Sequence, residues 1–256
     1  MGGSNGGYTL AIGMTVGRRS EAAEATGYTA TAIRSLRTAG FTQPLHVFCE
    51  PGAVPQLPPA DQCNLVVHAN AVQQGCFRNF RQGSSYLLSH TDADWIMMLQ
   101  DDGIWRTDGW THMQAALAAP PHQAVGYLSP YTSPAMVVRQ PPVRRPKPKA
   151  GKAAKVAPVM SWRSCHFHNK SFWGAVAMCF PRQSLIQLHA APRFANHTHT
   201  RKLDVVVGNA IRRDLGLEIL VAVPSLVDHI GKWSTLGRHK LRGIQWGRHG
   251  YAFKNA

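Results

Sequence analysis

The chain reads as an α/β protein: a mostly parallel central sheet with helices on both faces. Three observations predict it. Short apolar runs of strand length recur through the first half, most clearly at 8–16, 45–49 and 94–99. Helix-compatible stretches separate them, the alternation that produces crossover-linked parallel strands. The strand-like runs also end on polar or charged residues, and open α/β sheets bind ligands outside the carboxyl ends of their strands.

Residues 8–16 form the first strand, which closes on Gly17-Arg18-Arg19. Ser20 can cap a helix with Glu21 and Glu24 in its first turn, where acids suit the positive end of the helix dipole. That helix runs to about residue 39, and Gly40 stops it. Further strands fall at 45–49 and 64–67, and a helix at about 79–89. The strand at 94–99 leads into an acidic turn, then a helix through Met113 and Leu117, then a strand at 123–128. Residues 129–158, rich in Pro, Lys and Arg, break the pattern as a long basic insertion. Order resumes with the apolar run 171–180, followed by a helix at 204–215 and a strand at 217–223. The expected organisation is a single domain: a nucleotide-binding half (8–128), the insertion (129–158), an acceptor half (159–237) and a basic tail (238–256).

With 256 residues the chain can bury a sizeable core, and its 44% hydrophobic content excludes disorder throughout. The formal charge is +15, and it is localised. Residues 139–155 hold seven bases and no acid (Arg139, Arg144, Arg145, Lys147, Lys149, Lys152, Lys155). Residues 229–256 hold six bases, among them Arg238, Lys240 and Arg242, and again no acid. The remainder carries 15 bases against 13 acids. Two acid-free basic segments suit a polyanion, nucleic acid or an anionic membrane, better than they suit solubility alone. The leader lacks a signal-peptide pattern, and no run is long and apolar enough to span a bilayer. Five cysteines without a CxxC pair read as reduced thiols, so the expected location is cytoplasmic.

Three strand ends carry chemistry: Thr15 with Arg18 and Arg19, then Glu50, then Asp101 with Asp102. The arginines can meet phosphates, Glu50 a ribose hydroxyl, and Asp102 a Mg²⁺ or Mn²⁺ ion bridging a diphosphate. Asp101 can ligate the metal or hold the ribose, and His229 can add a ligand from downstream. The competing reading of Asp101-Asp102-Gly103 is an ordinary turn. Cys165-His166-Phe167-His168 and His197-Thr198-His199 match no closed zinc spacing. Trp233 and Trp246, lying among bases, are candidates for base stacking.

Taken together, several segments resemble GT-A-type glycosyltransferases over residues 8–237. They are Thr15-Val16-Gly17-Arg18-Arg19, Ser35-Leu36-Arg37-Thr38-Ala39-Gly40-Phe41, Gln100-Asp101-Asp102 as a variant DxD motif, Phe172-Trp173-Gly174-Ala175 before Pro181-Arg182, and Pro224-Ser225-Leu226-Val227-Asp228-His229-Ile230-Gly231 with Ser234 and Leu236-Gly237. The resemblance implies a GT-A (Rossmann-like) fold and a metal-dependent glycosyltransferase with a nucleotide-sugar donor. UDP is taken as the carrier because it is the family's commonest. It places the metal on Asp102 and His229. It also puts a catalytic carboxylate at Asp204, whose competing role is a helix cap, with Asp228 as the weaker alternative. The charge pattern then selects the acceptor: DNA bearing a hydroxymethylated pyrimidine, as some phage enzymes use, with the base flipped from the stack. Two other expectations stand beside it. One is transfer to a glycan, lipid-linked or protein acceptor. The other is a non-catalytic nucleic-acid-binding protein on a degenerate transferase fold.

Overall fold

The computed structural model describes residues 7–18, 27–120, 123–132, 160–165, 175–199 and 202–230. The strands are β1 (Leu10–Val16), β2 (Leu45–Cys49), β3 (Leu65–Ala69), β4 (Trp95–Gln100), β5 (Gly103–Trp105), β6 (Val125–Ser129), β7 (Ser161–Ser164), β8 (Ala177–Pro181), β9 (Glu218–Val223) and β10 (Val227–His229). The helices are α1 (Tyr28–Thr38), α2 (Ala60–Cys63), α3 (Gly75–His90), α4 (Gly109–Ala118), α5 (Arg182–Ala190), α6 (Pro192–Ala195) and α7 (Leu203–Asn209). The last continues into a π-helical turn, Ala210–Asp214.

Eight strands form one sheet in the order β3-β2-β1-β4-β8-β6-β9-β7, and β5 pairs with β10 in a separate small ladder. Six strands of the large sheet share one direction, with β7 and β8 running against them. The mostly parallel α/β sheet expected from the sequence is therefore present. Its central strands are continuous apolar runs because both faces are covered: Ile12, Met14, Val16, Val47, Phe48, Ile96, Met97 and Leu99 are all buried. Helix α3 lies close over β1 and β2, and Gly83 permits it. A Cβ there would stand 2.7 Å from the Phe48 ring.

Several boundaries differ from expectation. The first helix does not run from residue 20. It begins at Tyr28, after Gly27 in a left-handed conformation (φ 61°), which an α-helix cannot contain. Its buried face is Tyr28, Thr29, Ala32, Ile33 and Leu36, at helical spacing. Ser20, Glu21 and Glu24 lie outside the described residues, so the expected cap belongs to no part of α1. The strands β5, β7 and β10 and the helix α5 were not expected. Among the described residues of the run 171–180, the strand is β8, which starts at Ala177, continues to Pro181 and is antiparallel to both neighbours. The basic insertion falls almost wholly, and the tail wholly, outside the described residues.

Burial makes the fold acid-sensitive. His189 in α5 sits 2.9 Å from Ser84 Oγ in α3, and burial, with the nearby Arg81 charge, pushes its pKa down from 6.5 to about 4. His46 and His68, 3.1 Å apart on β2 and β3, are lowered too, chiefly by burial. A folded pKa below the unfolded value means the unfolded chain takes up protons first. Stability is thus full above pH 6.5 and is lost as pH falls toward 4, by about 3 kcal/mol for His189 alone. Urea midpoints measured from pH 7.5 to 4.5 should fall, and less steeply in His189→Asn.

Candidate functional site

Strand direction gathers the candidate residues. Since β1, β2 and β4 are parallel, Thr15 with Arg18, Glu50, and Asp101 with Asp102 emerge at one edge. The chain steps outward from β1 to β2 and β3, then returns to place β4 on the other side of β1. That reversal is a topological switch point, and such sheets bind ligands in the crevice outside the carboxyl ends of the strands at that point, here those of β1 and β4.

Asp101 and Asp102 stand at that crevice and divide their work. Asp101, 6% exposed, turns Oδ2 toward the Gly17 N–H and the Thr29 hydroxyl, both at 3.4 Å. It ties the exit of β1 to the start of α1. Asp102 has a different partner: its Oδ2 lies 3.1 Å from His229 Nε2. Residues 127 positions apart are thereby brought together.

The β5–β10 ladder does this. It pairs Val227 with Trp105, Asp228 with Ile104 and His229 with Gly103, and the Ile230 N–H donates to the Asp102 carbonyl at 3.0 Å. The preceding loop is fastened as well. Ser225 Oγ donates to the Val227 carbonyl (2.7 Å) and accepts the Thr132 N–H (2.9 Å). The Tyr131 ring stands 6.4 Å from that of His229.

A carboxylate oxygen and an imidazole nitrogen converging beside a crevice suit Mn²⁺ or Mg²⁺. Among the described residues no group of three or more His, Cys, Asp or Glu could hold a metal ion. Two side chains are nonetheless enough for a cation that takes its other ligands from phosphate oxygens and water. The donor set therefore fits a metal shared with a diphosphate. It does not fit a protein-enclosed zinc. Burial pushes the Cys165 thiol up to about 12, and His166 and His168 lie outside the described residues.

The remaining candidates are placed as follows. Thr15 is buried, with its hydroxyl donating to the Leu99 carbonyl at 3.3 Å. Arg18 is exposed and runs across the backbone of Gly52, bridging the exits of β1 and β2. Glu50, expected at a ribose, has another occupation. Its two oxygens accept the Gln74 and Gly75 N–H groups, each at 2.8 Å, anchoring the start of α3. Charged acceptors at a helix N-terminus are strong. Glu50→Gln should cost about 2 kcal/mol in urea denaturation, because the new amide N–H₂ opposes a backbone donor.

Asp204 sits in the first turn of α7 and accepts the Val205 N–H at 3.0 Å. The cap position belongs to Lys202, so the competing cap role does not apply to Asp204. Its charge and the Leu203 backbone both act on the Cys76 thiol in α3, which brings Asp204 to the end of α3 that Glu50 anchors. Asp228 is buried (4% exposed) and accepts the His229 N–H. Strand alternation turns it away from the face of His229. Asp204 and Asp228 thus differ in placement, one in the first turn of α7 and the other buried in β10. Arg19 and all the basic residues assigned to nucleic acid (Arg139, Arg144, Arg145, Lys147, Lys149, Lys152, Lys155, Arg238, Lys240, Arg242) lie outside the described residues. Thr29, which holds Asp101, gave no sequence signal beyond its place on a buried helix face.

The fold is similar to that of GalNAc-T7, solved with UDP, GalNAc and Mn²⁺. The two share 10% identity and a TM-score of 0.54 over 93% of this chain and 46% of that one. The chain thus spans about half the length of that protein. Lower similarity relates it to the mannosyltransferase PcManGT of Pyrobaculum calidifontis, in complex with GDP-Man and Mn²⁺ (12% identity, TM-score 0.45, 85% of this chain and 57% of that one). It also relates it to a mannose-1-phosphate geranyltransferase of Thermus thermophilus (9% identity, TM-score 0.47, 83% and 73%). No family model matches the chain, and no curated protein matches its sequence. The GalNAc-T7 likeness defines the fold as the Rossmann-like GT-A arrangement, a large mostly parallel sheet flanked by helices.

Proposed function

We propose that the protein is a metal-dependent glycosyltransferase that moves a sugar from a nucleotide diphosphate, UDP in the first instance, to a hydroxyl acceptor. The observation that carries this reading is the convergence of Asp102 and His229 beside the β1–β4 crevice. The two would hold Mn²⁺ or Mg²⁺, which neutralises charge on the departing diphosphate when bound. Asp101 keeps the β1 exit closed against α1, so the crevice wall is preformed. Arg18 supplies a cation at the same edge, within reach of phosphate. Asp204 takes the proton from the acceptor hydroxyl as it attacks the anomeric carbon. Hydrolysis of UDP-sugars in the presence of Mn²⁺, followed as UDP release, tests the donor half without knowledge of the acceptor. No release with any UDP- or GDP-sugar would refute it.

For the acceptor we propose DNA carrying a hydroxymethylated pyrimidine. Two acid-free basic segments, 139–155 and 229–256, support it, because a small glycan has no need of them whereas phosphate contacts supply most of the affinity for DNA. Filter binding to duplex across a salt series should give a steep negative log–log slope. Weak, salt-insensitive binding would exclude the DNA acceptor and leave the donor chemistry standing.

A further inference from the structure

An open concavity lies between α3 and the turn after α6. It measures about 660 Å³ and is lined by Gln74, Arg78, Arg81, Gln82 and Ser85 from α3 and by Ala195, Asn196, His197 and Thr198 opposite. No Asp or Glu is among these residues. Arg78 and Arg81 each donate one hydrogen bond to the turn, to the carbonyls of Thr198 (3.0 Å) and Ala195 (3.2 Å). Each guanidinium has five N–H donors, so both are positioned by the turn while retaining donors for a ligand. They stand three residues apart on one helix face, where neighbouring side chains project about 5–6 Å apart at Cβ. The His197 ring packs edge-on against Phe77, 4.5 Å between centroids, and lines the same cleft. Amides from Gln74, Gln82 and Asn196 complete a lining of donors without a fixed negative charge.

We propose that this cleft binds the phosphodiester backbone of a single nucleic-acid strand, with Arg78 and Arg81 on phosphate and a base beside the His197 ring. This goes beyond the two basic segments, which lie elsewhere in the chain, and its test does not require that the donor reading be right. The arginines favour a strand over a membrane: a planar headgroup layer meets protruding bases, whereas both guanidinium groups here are tied back to a turn. The Gln74 end of the cleft adjoins Gly75, whose N–H binds Glu50, so a strand held here runs toward the edge of the sheet that carries Asp102.

Fluorescence anisotropy with a labelled short oligothymidylate tests the proposal on the full chain. The variant Arg78→Ala/Arg81→Ala should bind at least about tenfold more weakly, and its salt slope should fall by about 1.4, two phosphate contacts at about 0.7 each. Gln82→Glu, an isosteric change at an exposed position that keeps both arginine–carbonyl bonds, should weaken binding about fivefold, so the proposal survives even if the double variant misfolds. Titration of UDP with Mn²⁺ should be unchanged in Gln82→Glu, which separates failure of the cleft from failure of the donor site. Unaltered oligonucleotide affinity in Gln82→Glu would overturn the proposal. So would variants that lose binding only to phosphatidylserine vesicles.

Discussion

Asp204→Asn is expected to lower sugar-transfer turnover by about 10²–10⁴-fold while leaving UDP affinity within about twofold. The size is that of a lost general base. The substitution is nearly isosteric, and the Asn side-chain oxygen can still accept the Val205 N–H that Asp204 accepts at 3.0 Å. Helix α7 should therefore hold, losing only the favourable charge in its first turn, a few tenths to about 1 kcal/mol. A structural role alone would lower the melting temperature without selectively removing turnover. A base role removes turnover at constant fold and flattens the acidic limb of the pH–rate profile. The equivalent change at the buried Asp228 should act instead through the β5–β10 ladder and weaken donor binding.

Gly126→Val is expected to destabilise the fold by about 3 kcal/mol or more, read as a shift in the urea midpoint. Gly126 sits in β6 where a Cβ would fall 2.3 Å from Ile211 Cγ2 and 3.1 Å from the Glu218 carbonyl of β9. Ile211 is fully buried in the π-helical turn that continues α7. Any relief of the clash therefore moves the turn that carries Asp204's helix, or the β6–β9 pairing. Turnover should fall with stability in this variant, unlike in Asp204→Asn. Variants of Ile211 with smaller side chains should partly restore both.

These two positions illustrate what could be read from residues alone. The β4 run Trp95-Ile96-Met97-Met98-Leu99 marks a buried strand by composition, so the acidic pair that follows could be assigned to a strand end and a ligand crevice. Asp204 could be assigned to the opening turn of a helix. Its neighbour Cys76 could not, because α3 and the Leu203-Asp204 segment meet only through packing. The three-residue strands β5 and β10 are too short to show a period, yet they decide which imidazole meets Asp102. The late start of α1 turned on one conformation, the positive φ of Gly27, which a helical pattern of apolar residues does not reveal. The Glu50 bonds to the start of α3 were not legible, because a carboxylate at a strand end suits a ribose hydroxyl or a helix N-terminus equally well, and only the position of α3 reveals the second. Arg78, Arg81 and Ser85 did carry a signal, three polar residues on one helix face, but helices commonly present such a face to solvent.

The most direct test of the central claim is isothermal titration of UDP, with and without Mn²⁺, against the wild-type protein and Asp102→Ala. The expected result is Mn²⁺-dependent binding in the wild type that is lost in Asp102→Ala, with the fold intact by circular dichroism. Binding that ignores the metal, or that persists unchanged in Asp102→Ala, would contradict it.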